Sequence, residues 1–439
     1  MYVWKGGVRV YKERIQQALD YIENNLKAEI TAAELAKNAG YSLFHFYRLF
    51  QGAAGMPVMQ YIIHRRLLHA IYEIGGGRKK TDVVLEYGFD TYAGFYKSFV
   101  REIGYTPAEY LRKFKVKKPY RINLFQEEHI VVSHKKIAEM LSYWGLEGEP
   151  VADVVFEENG ETSDTAKYVG EQYVIKYTNN PGNVIKAINI AKALTNAGLS
   201  APVIVPTADG KEFVQNGELY FFLSRRIEGK GILASHVYLE EYGKKARFIG
   251  EIVGHLDLAL AAVDVPVDDE DTLSAVCNWA VPALKSILPL PPDFMEGYMQ
   301  EFHRLYPLLP RQIIHRDPNP SNIILSDDKW GFIDFELSER NVRIFDPCYA
   351  ATAILSETYE DGNEEKMAGW TRVMKEIMLG YDSVVQLTDA EKEAVPYIIL
   401  ANQFVATAWF SERDKFLDFY NVNKKMTLWV IRNFEKMKI

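Results

Sequence analysis

Between Tyr11 and Phe114, apolar residues recur at helical spacing in short runs broken by Gly, Asn, Thr and Ser. Ile15, Ala18, Leu19, Ile22 and Leu26 line one face of an amphipathic first helix. Thr31, three residues before Glu34, predicts a capping box that opens a short helix through Leu35 and Ala36. Gly40 supplies a tight turn, and Ser42 caps a helix ending near Gln51. The unit then repeats. Thr81 to Tyr87 is a short helix, Gly88-Phe89 a turn, and Asp90 or Thr91 caps a helix running to Glu102. A longer helix, about Val58 to Ile74, joins the two units and carries Arg65 and Arg66. Two short helices across a Gly turn form the unit that seats its second helix in the DNA major groove. Phe46/Phe50 and Phe95/Phe99, spaced i, i+4, are expected core anchors. The opposite faces carry His45, Arg48 and Gln51 on the first helix, and Tyr92, Tyr96 and Lys97 on the second. These six are the candidate DNA contacts, each weighed against a solvated surface residue. Phe44 falls near that face without an assigned role.

After about residue 120 the pattern changes. Lys115 to Pro119 reads as a linker, Ile137 to Trp144 as a helix, and Val151–Glu157 and Gln172–Tyr177 as strands. The polar turn Glu158 to Thr165 lies between those strands. Lys176, in QYVIKY, could hold nucleotide phosphates, although a strand lysine is more often a surface side chain. The sharper constellation is H-x-D-x-x-x-x-N, His315 to Asn322, followed twelve residues later by Asp334 between apolar residues. Phosphoryl transfer needs a carboxylate to take the attacking hydroxyl's proton, a role open to Asp317. It also needs oxygen ligands for magnesium, which Asn322 and Asp334 could provide. His315 is read as a structural side chain that bonds the backbone or Asp346 and stiffens the loop.

Length and composition narrow these readings. At 439 residues the chain should hold two to four domains. No run approaches ~18 uninterrupted apolar residues, so no membrane span or membrane partner is expected. The opening MYVWKGGVRVYKER lacks the apolar segment of a secretory signal. Cys277 and Cys348, far apart, exclude a disulfide scaffold or thiolate zinc site and suit a cytoplasmic protein. Charge divides the chain. Residues 1–118 carry a balance of +8, which favours a polyanionic partner, double-stranded DNA; the remainder carries −16 and would suit a cationic ligand.

Residues 11–114 resemble the tandem helix-turn-helix domain of AraC-type transcription regulators. The resemblance rests on Glu34-Leu35-Ala36, Ser42 with Arg48-Leu49-Phe50, Arg66-Leu67-x-x-Ala70, and Gly88-Phe89 followed by Phe95, Phe99, Gly104, Thr106-Pro107 and Tyr110. Three features depart from it. Val84 replaces the usual Ala, and Gly94 inside the second recognition helix costs roughly 1 kcal/mol against Ala. Gly75-Gly76-Gly77 replaces the usual ordered run between the halves; together these departures predict a second half that is mobile or weakly docked without DNA, and Arg78-Lys79-Lys80 read either as phosphate contacts or as a solvated linker.

Residues 130–415 resemble the aminoglycoside phosphotransferase and choline kinase superfamily, relatives of the protein kinases. Here the resemblance rests on Tyr173-Val-Ile-Lys176, Ala197-Gly-Leu-Ser-Ala-Pro202, the Asp317 loop, Ile333-Asp-Phe-Glu336 and Asp346-Pro347. It implies a two-lobed kinase in which Lys176 contacts the α/β-phosphates, Asp317 is the base, and Asn322 and Asp334 hold Mg²⁺. The cofactors implied are ATP, with GTP as the alternative, and Mg²⁺. Two departures stand out: Arg316 and Asn319 replace a Gly and a His of the family's loop, and the helix Asn183 to Asn196 offers no Glu to pair with Lys176.

The expected fold is therefore multidomain, an all-α tandem helix-turn-helix domain followed by a two-lobed α+β protein-kinase-like domain. Its expected segments are 1–118 for DNA binding, 119–224 for the small lobe and 225–439 for the helical lobe. The expected function joins DNA binding and transcriptional control to ATP-dependent phosphorylation of a small-molecule hydroxyl, on an aminoglycoside-like or amino-alcohol compound. Acids such as Glu336, Glu357, Glu360 and Asp361 would suit a cationic one. The alternatives are a regulator whose inactive or weakly active kinase-like part senses a ligand, and a kinase whose N-terminal module serves only assembly.

Overall fold

The computed structural model describes residues 5–114, 116–125, 132–155, 162–238, 242–326, 329–413 and 416–439. Lys115 of the expected linker, and residues 156–161 at the end of the first expected strand and in the polar turn, lie outside them. The chain divides into two compact units, Met1–Pro181 with Val205–Arg226, and Gly182–Ile204 with Ile227–Ile439.

The first unit opens with seven helices: α1 (Lys5–Asn24), α2 (Ala32–Asn38), α3 (Leu43–Ala54), α4 (Val58–Gly75), α5 (Lys80–Glu86), α6 (Tyr92–Ile103) and α7 (Pro107–Lys113). Local chemistry sets their starts. Thr31 and Glu34 form the capping box of α2, and the Ser42 oxygen accepts the His45 amide at α3. Thr91, not Asp90, caps α6 by accepting the Gly94 N–H at 3.0 Å. Gly94 thus occupies the first turn, where the cap offsets its low helix propensity. Gly40 and Gly88 make the two turns at φ +70° and +78°, a conformation that favours glycine.

Phe46, Phe50, Val83, Val84, Phe95 and Phe99 belong to one buried cluster, so both helix-turn-helix units share a core. The glycine run closes as a hydrogen-bonded turn at the end of α4. Gly76 caps α4, and the Arg78 amide donates back to the Glu73 carbonyl at 3.2 Å. Arg78 pairs with Glu73 and Glu86, and Lys27 reaches the same two carboxylates at 3.0 and 2.7 Å. Arg65 is buried, gripping Glu23 through Nε and Nη2 at 2.6 and 3.0 Å. Burial pushes the Glu23 carboxyl up, but His69 and Arg65 outweigh it and hold it at about 2. The stretch after the basic residues is docked. Ile122 and Leu124 are buried in the helical core, and Gln16 bonds the Ile122 carbonyl and the Leu124 amide at 2.9 and 2.8 Å.

The rest of this unit packs α8 (His134–Leu141) against a sheet of β1 (Val151–Val155), β2 (Thr162–Val169) and β3 (Tyr173–Thr178). The chain leaves and re-enters through α9 (Pro181–Asn196) and β4 (Ile204–Val205), then adds β5 (Val214–Asn216) and β6 (Leu219–Arg225). The strands run antiparallel in the order β1-β2-β3-β6, with β5 on β6. Ile175, Tyr177, Phe221 and Leu223 face α8 in a common core. Strand alternation therefore sends Lys176 to the opposite face, in register with Ala166 and Phe222.

The second unit, besides α9, is mainly helical. It contains β7 (Lys230–Gly231), α10 (Tyr242–Ala261), β8 (Asp268–Asp269), α11 (Thr272–Ala275), α12 (Val281–Leu284) and α13 (Pro292–Leu305). Two short sheets follow, built with β9 (Arg311–Ile314), β10 (Ile323–Leu325), β11 (Trp330–Phe332) and β12 (Glu339–Val342). Their orders are β11-β10-β7 and β8-β12-β9. Then come α14 (Phe345–Thr358), α15 (Glu364–Val384), α16 (Asp389–Ser411) and α17 (Leu417–Arg432). Gly250 and Gly380 let α10 and α15 touch backbone to backbone; a Cβ on either would strike the facing carbonyl of Ile377 or Arg247. By length and composition α16 could cross a membrane, but 67% of its most apolar window is buried inside the protein.

Removing one partner of a buried pair leaves an uncompensated charge. Arg65→Ala should therefore cost about 3–5 kcal/mol in urea unfolding, well above the cost of Arg78→Ala, whose pairs are exposed. Equal costs would show that the Arg65–Glu23 pair does not anchor the helical core.

Candidate functional site

The hairpin of β10 and β11 explains why the spaced residues meet. Ile323 pairs with Phe332, so Asn322 before one strand and Asp334 after the other share its end; the Ile333 amide donates to the Asn322 carbonyl at 3.1 Å. Asn322 closes a 3₁₀ turn capped by Asn319, whose side chain accepts the Asn322 amide at 3.2 Å. The Asn322 Nδ2 donates to the Asp317 carbonyl and Oδ2 at 3.0 and 3.1 Å, and Asn319 Nδ2 donates to Asp317 Oδ1 at 2.9 Å. Burial raises the Asp317 carboxyl to about 6; the Asn319 and Tyr349 hydrogen bonds pull it back, and the Asp334 charge adds to the rise. The structure thus brings Asp317, Asn322 and Asp334 together. Among the described residues no donor reaches Asn322 Oδ1, and with the Asp334 carboxylate it would offer hard oxygen ligands of the kind magnesium prefers.

The loop itself is hung from Asp346. This buried carboxylate accepts the His315 amide at 2.7 Å and the Arg316 amide at 2.9 Å. His315 is fully buried; its Nε2 donates to the Ile333 carbonyl at 2.9 Å and its Nδ1 accepts the Asp317 amide at 3.3 Å. Those partners fix the neutral tautomer and tie the loop to the hairpin. Arg316 and Asp334 are the non-glycine residues with positive φ among those described, at +76° and +77°. The family's Gly therefore has a conformational reason, and Arg316 meets it with other support. Its Nε bonds Glu339 at 3.0 Å and its guanidinium lies 4.4 Å over the Phe345 ring.

Lys176 stands on β3 in the first unit, half-buried. The helix α9, in the second unit apart from Pro181, holds Ala187 and Asn189 where a carboxylate was sought; its buried charge is Lys186, bonded to Asp268 at 3.1 Å. Of the acids suggested for a cationic ligand, Glu360 pairs with Lys366 and Asp361 with Lys425, which neutralises both. On the helix-turn-helix surface, Arg48, Gln51, Tyr96 and Lys97 are exposed on α3 and α6. His45 is half-buried, edge-on to Tyr41. Tyr92 is less available than its position predicted, because its ring packs against Phe95 and under the Lys80 amine. Three supporting residues escaped the sequence reading: Tyr349, Glu339 and Asp257. For Tyr349 a signal existed, since Phe345 and Tyr349 are one helical turn apart beside Asp346.

Asp257, on α10, faces Asp346. Tyr381 donates to Asp257 Oδ2 at 2.7 Å, while Oδ1 has a partner only if it carries a proton and donates it to Asp346. Burial and the neighbouring Asp346 charge push Asp257 well up, and burial lifts Asp346 to about 7 despite the two amides it accepts. A carboxyl raised on folding stabilises the fold at low pH and loses that contribution as pH rises through its folded value. The melting temperature should therefore fall between pH 6 and 9, and Asp257→Asn, which supplies its own N–H, should flatten that fall. An unchanged slope in scanning calorimetry would exclude the pair as its source.

The sequence matches two family models, a helix-turn-helix domain over residues 35–113 and the phosphotransferase enzyme family over residues 159–375. Among curated proteins it is 33% identical over 97 residues to the HTH-type transcriptional activator AarP of Providencia stuartii, covering 22% of this chain and 72% of AarP. It is 30% identical over 126 residues to the right origin-binding protein of Escherichia coli K12, covering 27% of this chain and 44% of that protein. Among solved structures, a microcompartment-associated aminopropanol kinase matches with a TM-score of 0.52 at 13% identity, over 69% of this chain and 98% of that one. The amicoumacin kinase hAmiN, solved with AMP-PNP, Ca²⁺ and Ami, matches with a TM-score of 0.50 at 15% identity, over 68% and 92%. These structural likenesses establish a kinase-like fold for the larger part. By its N-terminal segment the chain belongs to the AraC-type helix-turn-helix transcription regulators, and it joins to that segment a domain of the phosphotransferase enzyme family.

Proposed function

We propose that the protein is a DNA-binding regulator that also phosphorylates a small-molecule hydroxyl with ATP. The observation that carries the second half is the Asp317 carboxylate, raised toward neutrality and bonded to Asn322 beside Asp334. Asp317 accepts the proton of the acceptor hydroxyl as its oxygen bonds the γ-phosphorus and the bond to the leaving ADP oxygen breaks. Asn322 and Asp334 are assigned to magnesium, which supplies positive charge to the phosphates when bound. Lys176 is assigned to the α/β-phosphates, with residues 119–224 as small lobe and 225–439 as helical lobe. An amino alcohol or aminoglycoside is the proposed acceptor class, in keeping with the acidic balance after residue 118. Residues 1–118 are assigned to duplex DNA through Arg48, Gln51, Tyr96 and Lys97, with His45 and Tyr92 at the margins.

The second reading, a ligand sensor without useful turnover, is favoured by α9, which has no carboxylate and spends its buried charge on Asp268. Purified protein with Mg-ATP and a panel of amino alcohols and aminoglycosides separates the two. Turnover is expected, and Asp317→Asn should remove ~10²–10⁴ of it while nucleotide affinity survives. Full turnover by that variant would reject Asp317 as the base, and none by wild type on the whole panel would favour the sensor.

The DNA assignment has its own test. Arg48→Ala and Lys97→Ala should each weaken duplex binding, and a Lys97 that meets only phosphate should lower the log–log salt slope by about 0.9 when removed. Unchanged affinity in both would take α3 and α6 out of the interface.

A further inference from the structure

Asp317-Pro-Asn-Pro320 limits what the loop can offer its own carboxylate. Proline has no backbone N–H, so Pro318 and Pro320 remove two amides that could have reached Asp317. Side chains supply the donors instead. Asn319 Nδ2 donates to Oδ1 at 2.9 Å, and Asn322 Nδ2 donates to Oδ2 at 3.1 Å. Asn319 itself has little freedom. A residue before proline is pushed to extended backbone, and Asn319 sits at φ −67° and ψ 156°. Its Oδ1 accepts the Asn322 amide at 3.2 Å and the Ser321 hydroxyl. Those donors need the amide oxygen, and an ionised carboxylate can meet only the amide nitrogen, so one orientation of the side chain satisfies both ends.

One amide thus works in two directions. Through Oδ1 it closes the turn that presents Asn322, the residue assigned to magnesium. Through Nδ2 it grips one oxygen of Asp317, while Asn322 grips the other. With an N–H on each oxygen, the carboxylate cannot turn about its Cβ–Cγ bond without breaking both contacts. Such a turn is costly in a reacting group, because transfer requires aligned atoms at near-contact distance. We propose that Asn319 is a positioning residue, fixing the plane of the Asp317 carboxylate and holding it in step with Asn322. The inference rests on the reading of Asp317 as the base.

Asn319→Ser separates the two jobs, since serine caps as well as asparagine but ends one bond short of the Asp317 carboxylate. The probe is Mg-ATP with water as acceptor, followed by ADP release. The kcat of Asn319→Ser should fall about tenfold with KM for ATP unchanged, the pattern of an interaction needed in the transition state rather than for binding. In an Asp317→Asn background the same change should have no further effect, because there is no base left to orient. A melting cycle reads the contact without turnover. Asn319→Asp sets carboxylate against carboxylate and should lower the melting temperature at neutral pH. Adding Asp317→Asn exchanges donor and acceptor and should recover most of that loss. Melting shifts that merely add would show that the contact does not form, and they overturn the proposal. A rate loss of the same factor in both backgrounds, the mark of a purely structural role, overturns it too. So does full-rate Asn319→Ser beside an impaired Asp317→Asn, which leaves the base assignment standing. Full-rate Asp317→Asn, or a wild type that releases no ADP, removes the base assignment and this inference together.

Discussion

The Asp346 carboxylate is the fixed point of the second unit. It is fully buried, and it accepts two consecutive backbone amides from the loop that carries Asp317. Losing it would leave both amides buried without partners, and an unmet buried donor costs about 1–3 kcal/mol. Everything at the site follows from that suspension. His315 is placed to tie the loop to the hairpin, Asp317 is placed to meet Asn322, and the hairpin sets Asn322 beside Asp334. The second buried carboxyl, Asp257, makes the fixed point depend on a shared proton, an unusual choice for a position that must not move.

Among the described residues, the non-glycine positive φ angles both fall in the candidate site. A side chain at positive φ is costly, of order 1–3 kcal/mol, and survives only where surroundings over-determine it. Arg316 shows how that is done without glycine. Its amide is held by Asp346, its Nε by Glu339 and its planar head by Phe345. Glycine would reach the same conformation with less strain but would give the loop no side-chain attachment. The replacement substitutes contacts for conformational freedom, and it stiffens the peptide immediately before Asp317.

Local signals were legible and distant ones were not. Thr31, Ser42 and Thr91 announce their helices because a cap and its amide lie within three residues. Asp317, Asn322 and Asp334 were visible because the hairpin preserves their order and spacing. Glu23 and Arg65, 42 positions apart, carry no such mark; only the folded core shows that they neutralise each other. The same holds for Asp257 and Asp346. At Arg78 the sequence did not reveal the two glutamates, Glu73 and Glu86, that pair with it in the fold, and the triple glycine did not reveal that both halves share one hydrophobic core. The missing α9 carboxylate was legible, but Lys186 as that helix's buried charge was not, since its partner lies 82 residues on.

The docking of Ile122 and Leu124 reaches beyond stability. The dense basic stretch before them looks like the natural seam of a fused gene, yet the helical core continues past it, through Gln16 and the apolar side chains of 122 and 124. A recombination event that cut at the basic stretch would deliver a helical domain with an open apolar slot and a stranded glutamine. The helical core therefore includes residues as far along the chain as Leu124, beyond the basic stretch itself.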